Sequence, residues 1–216
     1  MVMAVTGLVL TGFVVAHMFG NLQIFLGQDQ LNSYAEHIIG LPMLLWPARA
    51  FLLCTLIIHM MVAFKLAVEN KIARPIGYLH EDTVQASYAS RTMVMSGIII
   101  LAFIIFHLLH FTFDKIHPEF TGLTDSKGRD DVYSMVVLSF RVPWISGSYI
   151  VAMAVLCTHL SHGISSLFQS LGLNNDKTKM KFKILAHSVA TLIFFGNSSI
   201  ALASFFGILK IPKGGG

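Results

Sequence analysis

The sequence predicts an all-α membrane protein of five transmembrane helices. Three observations carry that prediction. The chain of 216 residues is 55% hydrophobic and only 12% charged, whereas soluble domains carry about 25% charged residues. Its apolar residues gather in five segments, each close to the roughly 20 residues that cross a bilayer. Almost every charge falls between those segments or at their ends.

The five spans lie at approximately 3–26, 44–68, 92–113, 143–170 and 184–209. They take up most of residues 1–216, which therefore read as a single transmembrane domain. No room remains for a large soluble domain, so any catalytic domain outside the membrane must sit on another chain. The first span is too long for a cleavable signal, lacks a basic leading region and carries His17. A short polar leader ahead of Met1 is expected. Cys54 and Cys157 lie inside apolar spans and read as small core residues, not as a disulfide or a metal pair. The apolar run Val132–Phe140 is too short to span; it is expected at the interface or against a helix end.

Basic residues mark the cytoplasmic side. The connection after the first span holds Asp29 and Glu36 and no Lys or Arg. The connection after the second holds Lys71 and Arg74, flanked by Lys65 and Arg91, and the one after the fourth holds Lys177, Lys179, Lys181 and Lys183. The N-terminus is therefore expected in the cytoplasm and the C-terminus outside. The third connection is mixed. Its Lys115, Lys127, Arg129 and Arg141 face Asp114, Glu119, Asp125, Asp130 and Asp131, and it is assigned outside. The net charge of +4 is thus topological, and no nucleic-acid partner is expected.

Each of the first four spans carries a histidine well inside: His17, His59, His107 and His159. An imidazole in hydrocarbon is costly without a partner or a function. At about 1.5 Å per residue, His17 and His107 lie about 20 and 22 Å from the inner ends of their spans, and His59 and His159 about 14 and 16 Å. His17 then pairs with His107 at an outer level, and His59 with His159 at an inner one. Facing side chains of a helix bundle commonly hold a cofactor. Two bis-histidine haems fit this pattern, the first four spans forming a haem-binding bundle. Such haems have both axial positions filled, so they carry electrons and bind no oxygen or substrate.

A local echo supports the outer pair. Thr6-Gly7 precedes His17 by nine intervening residues, and Ser96-Gly97 precedes His107 by the same interval. A glycine ten residues inward lies about 15 Å deeper, where it leaves room for the inner macrocycle; close helix packing is its other use. His110 and His162 compete as ligands. The echo favours His107 over His110, and depth alone does not choose between His159 and His162. A His-x-x-His pair also suits zinc, but the carboxylates that would complete such a site lie mostly in loops. Ser90 and Arg91 at the inner face, and Arg49 in the outer part of the second span, are candidates for the haem propionates. A snorkelling interface anchor is the alternative for each, and Arg49 is the weaker propionate candidate of the two arginines.

These residues resemble the dihaem cytochrome b anchor of succinate:quinone oxidoreductases and fumarate reductases, in its single-subunit five-helix form. The resemblance rests on Thr6-Gly7 with Ala16-His17-Met18-Phe19, on Ile58-His59 with Ala63-Phe64-Lys65, and on Ser90-Arg91-Thr92-Met93. Phe106-His107-Leu108, His159-Leu160-Ser161-His162-Gly163 and Leu171-Gly172 complete the set. It covers essentially the whole chain. In that family the fourth ligand stands four residues before a glycine, which carries the role to His159 with Gly163 as the glycine. The family pairs its ligands first with third and second with fourth.

The resemblance implies two haem b groups, a membrane quinone (menaquinone or ubiquinone), and a place in the inner (cytoplasmic) membrane. It implies a flavoprotein partner with covalent FAD and an iron–sulfur partner on the cytoplasmic face, docked on loops that include Ile72-Ala73-Arg74-Pro75 and Tyr78. A higher oligomer of the complex is compatible with it. Electrons would pass from succinate through the inner and then the outer haem to quinone, or in reverse for fumarate reduction. This chain would be the quinone-reactive subunit and carry no succinate-oxidising site of its own. Glu36 is the candidate for quinone protonation, with His37 and Asn21 as further quinone-site candidates. Cys157 stands where some fumarate reductases have a proton-conducting glutamate, which weighs against that path. The competing readings are the cytochrome b of another quinone-linked dehydrogenase or hydrogenase, and a haem-free transporter that uses its histidines for protons.

Overall fold

The computed structural model describes residues 1–73 and 92–212. These residues form seven α-helices: α1 (Val2–Leu22), α2 (Gln28–Ile39), α3 (Pro42–Ile72), α4 (Met93–Phe111), α5 (Val132–Arg141), α6 (Pro143–Ser170) and α7 (Lys179–Phe205). Five are long and apolar enough to cross a bilayer: α3, α4, α6, α7 and α1, which a 3-10 turn prolongs to Leu26. The protein is a multi-pass all-α membrane protein. Proline opens α3 and α6, where its missing N–H would have had no helical partner. At 31 residues, α3 is about 46 Å long, well beyond a hydrocarbon core of about 30 Å. Its final turns carry Lys65, Glu69 and Lys71 into water, with Lys65 and Glu69 paired at 3.7 Å.

Helices α1, α3, α4 and α6 form a ring in which α1 touches α3 and α6, and α4 touches α6 and, more lightly, α3. The fifth span, α7, lies along α6 and α1. Met18 of α1 is fully buried, and a side chain at Gly196 of α7 would run into its sulfur. Small residues permit such close approach where no hydrophobic force drives helices together. In α3 only Thr55 is buried, and Cys54 is exposed. This corrects the expectation of a core cysteine. A small apolar residue is as stable against lipid as against protein, so an apolar span does not say which way its cysteine faces. Cys157 is half-buried.

Two short helices close the end of the bundle nearest His17 and His107, the outer end in the orientation expected from the loop charges. The sequence reads 27–43 as a loop because it is polar, yet it holds α2. Gly27, at φ 103°, turns the chain back, and α2 then buries Leu31 and Asn32 against its neighbours. The run Val132–Phe140 is α5, buried through Tyr133, Val137 and Phe140 and packed on α6 and α7. Asp131 caps it by accepting from the Ser134 N–H at 3.1 Å, a donor otherwise unpaired at a helix start.

The fully buried Asn32 fastens this cap. Its amide donates to Asp125 (3.2 Å) and Asp131 (3.0 Å), and its carbonyl accepts from the Tyr133 N–H (2.9 Å). Gln28 adds a bond to Asp131 at 2.8 Å. Arg129 donates to Asp125 and Asp29, and Lys127 donates to Asp29. Both loop cations with described partners are therefore neutralised locally, which explains why the third connection looks mixed in charge.

Asn32→Ala leaves the Tyr133 backbone donor without its partner and removes one donor each from Asp125 and Asp131. It is expected to destabilise the protein by about 2 kcal/mol, read as a lowered thermal midpoint in detergent. Asn32→Asp lowers it further, because a third carboxylate then sits between Asp125 and Asp131. Unchanged midpoints for both would contradict the clamp.

Candidate functional site

The four span histidines come from four different helices of the ring. At the outer level the rings of His17 (α1) and His107 (α4) stand 5.8 Å apart between centroids and nearly perpendicular. A metal–imidazole nitrogen bond of about 2 Å on each side puts two axial rings about 6 Å apart between centroids, close to the separation of this pair. Phe13 stacks on His17 at 5.4 Å, and Tyr149 of α6 places its hydroxyl 3.2 Å from His107 Nδ1.

The inner level is built from hydroxyls. Thr6 Oγ1 of α1 lies 2.9 Å from His59 Nδ1 of α3. Ser96 Oγ of α4 lies 2.9 Å from His159 Nδ1 of α6. Thr6 and Ser96 each precede the outer histidine of their own helix by eleven residues, about 16 Å along the axis. Since His17 and His107 are neighbours, His59 and His159 share one level about 16 Å below them. All four rings stay accessible: His17 is exposed and the other three are half-buried. The donor set and the two levels fit two bis-histidine groups.

Gly7 and Gly97 lie beside the inner histidines. A Cβ at Gly7 would lie 3.4 Å from His59 Cε1, and one at Gly97 3.7 Å from His159 Cε1. Both are ordinary contacts, so the imidazoles alone do not require glycine there. A Cβ at Gly163 would meet nothing within 4 Å.

Of the competing histidines, His110 adjoins the outer pair through Tyr149, and His162 bonds within its own helix. His110 is 2% exposed and stacks on Phe111 at 3.9 Å. Its Nδ1 shares the Tyr149 hydroxyl at 3.0 Å, and its Nε2 is buried with no hydrogen-bond partner among the described residues. His162 Nε2 bonds to Ser166 of its own helix at 3.0 Å. Arg49 is exposed and stacks over Trp46 at 5.1 Å. Ser90 and Arg91 lie outside the described residues, as do Arg74, Pro75 and Tyr78. Asn21 donates to the His17 carbonyl at 2.9 Å.

Glu36 and His37 are exposed on α2, at the outer end of the bundle. Glu36 borders a cavity of about 320 Å³ between α2 and the outer loop, with Ile39, Gly40, Arg129 and Asp130. Sequence reasoning missed Tyr149 altogether. It quoted Thr6 and Ser96 but read only the glycines beside them, although the repeated hydroxyl–glycine pair was the available signal.

Among the described residues, the outer loop couples Asp125 and Asp29 to Arg129 and Lys127. Arg129 holds the Asp125 carboxyl well below the ordinary carboxylate range, through two side-chain bonds and then through backbone donors. Lys127, then Arg129, lower Asp29. A carboxyl lowered in the folded state contributes its full stability above the ordinary value, near pH 4, and loses it only as pH falls through the lowered value. Amide exchange of α2, normalised for intrinsic rates, is therefore expected to stay flat from pH 7 to about 4 and rise below it. Arg129→Met moves that rise upward; an unmoved profile would count against the coupling.

Fold and geometry together define an all-helical membrane subunit with two levels of imidazoles inside its bundle. The succinate dehydrogenase/fumarate reductase transmembrane subunit family matches residues 71–195. The match spans more than half of the chain, which therefore belongs to that family. It includes His107 and His159 and begins after His17 and His59. No curated protein and no solved structure matches the chain.

Proposed function

We propose that this chain is the dihaem cytochrome b anchor of a succinate:quinone oxidoreductase. His17 and His107 hold the outer haem, and His59 and His159 the inner one. The observation that carries this reading is the two-level placement of four imidazoles, with the outer pair already at the spacing of axial ligands. The haems, when bound, supply one-electron carriage between a partner's iron–sulfur clusters and a membrane quinone. Gly7, Gly97 and Gly163 leave uncrowded backbone beside the inner ligands, which suits a flat macrocycle.

The lysines of the α6–α7 connection and the basic end of α3 belong on the cytoplasmic side of the inner membrane. The outer loop does not oppose that orientation, because Lys127 and Arg129 are paired with acids. The cytoplasmic end then docks an iron–sulfur subunit and, through it, a covalent-FAD flavoprotein, where succinate chemistry takes place. Reducing a quinone takes up protons as well as electrons. Glu36, exposed at the lip of the outer cavity and at the level of His17 and beyond, is the proposed proton donor. Its carboxyl exchanges protons with water and hands them toward the quinone oxygen.

The test is haem content and reduced-minus-oxidised spectra of single variants in the purified complex. His17→Ala and His107→Ala are expected to lose the same haem, and His59→Ala and His159→Ala the other, each falling from about two per chain to about one. His110→Ala and His162→Ala keep both. Loss of one shared haem in His17→Ala and His59→Ala would overturn the pairing. Full haem content in all four ligand variants would overturn the function.

A further inference from the structure

We infer that Thr6 and Ser96 are positioning residues that set the tautomer of the inner histidine pair. The inference rests on the haem-binding reading above for the identity of the metal, but its argument is in the hydrogen bonds.

A hydroxyl has one proton to donate and lone pairs to accept with. Thr6 Oγ1 lies 2.9 Å from the Val2 carbonyl and 3.2 Å from the Met3 carbonyl. Ser96 Oγ lies 3.0 Å from the Met93 carbonyl. These back-bonds to the preceding turn are the usual outlet for Ser and Thr hydroxyls in a helix, and they take up the single proton. Toward His59 and His159 each oxygen can then only accept. Nδ1 must be the protonated nitrogen, so Nε2 keeps its lone pair. That is the nitrogen left free to ligate. A hydrogen bond at the non-ligating nitrogen fixes ring orientation and raises ligand basicity.

The device is used twice, in a pattern with an internal two-fold character. Helices α1 and α4 each carry an outer ligand and, eleven residues inward, a hydroxyl that receives the inner ligand of the next span, α3 and α6 respectively. The outer level uses a different group. Tyr149 of α6 meets His107, and His17 has no side-chain hydrogen bond among the described residues, resting on Phe13 instead. The inner pair is thus held symmetrically and the outer pair from one side only.

The experiment compares Thr6→Val, Ser96→Ala and their double variant with the unaltered complex. It reads haem content, redox potentials and the low-temperature paramagnetic resonance of each ferric haem. Loss of such a partner weakens metal holding by about 10–100-fold. The expected result is a shifted resonance and potential for one haem only, with partial loss of that haem in the double variant. Thr6→Ser restores both signals, which a mere packing defect would not require. Tyr149→Phe moves the other haem. Two haems with unchanged resonances and potentials in the double variant would overturn the inference and leave the dihaem reading standing. An unaltered complex without haem would overturn both.

Discussion

An imidazole inside hydrocarbon must find its partners within the bundle, and the order of the helices follows from how four of them do so. The cost of an unpartnered polar group there is several kcal/mol, more than lipid-facing packing returns at any single contact. Thr6 ties α1 to α3, Ser96 ties α4 to α6, and the His17–His107 contact ties α1 to α4. Those three links join the four helices in one connected set, and packing of α1 on α6 and of α3 on α4 closes the ring. Only Thr55 of α3 is buried, and of α4 only Ser96 and His110. In these two helices the buried positions are polar, because lipid already satisfies the apolar surface; α6 and α7 bury mainly apolar residues against each other.

The outer cap answers a different solvent. Water reaches it, so its stability comes from burial of Tyr133, Val137 and Phe140 together with a fully satisfied polar network around Asn32. That network holds α2 across the mouth of the ring, where Tyr34 closes on Gly20 of α1. Glu36 and the neighbouring cavity owe their position to this clamp. The histidine-bearing bundle and the hydrogen-bonded cap are thereby joined through α1 and α6, the helices that reach both.

The spans were legible because twenty-residue apolar runs have few other uses, and the four histidines because polar residues in such runs are rare enough to be informative. Helix α2 was hidden: its amphipathic face is short, and its buried residues include Asn32, which patterning scores as exposed. The orientation of Cys54 was hidden because lipid and protein interiors select the same residues. The Thr6-Gly7 and Ser96-Gly97 echo was visible, but the weight fell on the glycines. The hydroxyls carry the contacts, and their partners lie 53 and 63 residues away in sequence, a separation that periodicity cannot bridge. Tyr149 gave no signal at all, being one aromatic among many in an apolar span.

The most direct measurement is the molar ratio of haem b to this chain, by pyridine haemochrome, in the unaltered complex purified from its membrane. Two levels of paired imidazoles call for two haems per chain, both low-spin. A ratio of one would mean that one level serves another purpose, and a folded complex with none would contradict the electron-carrying role.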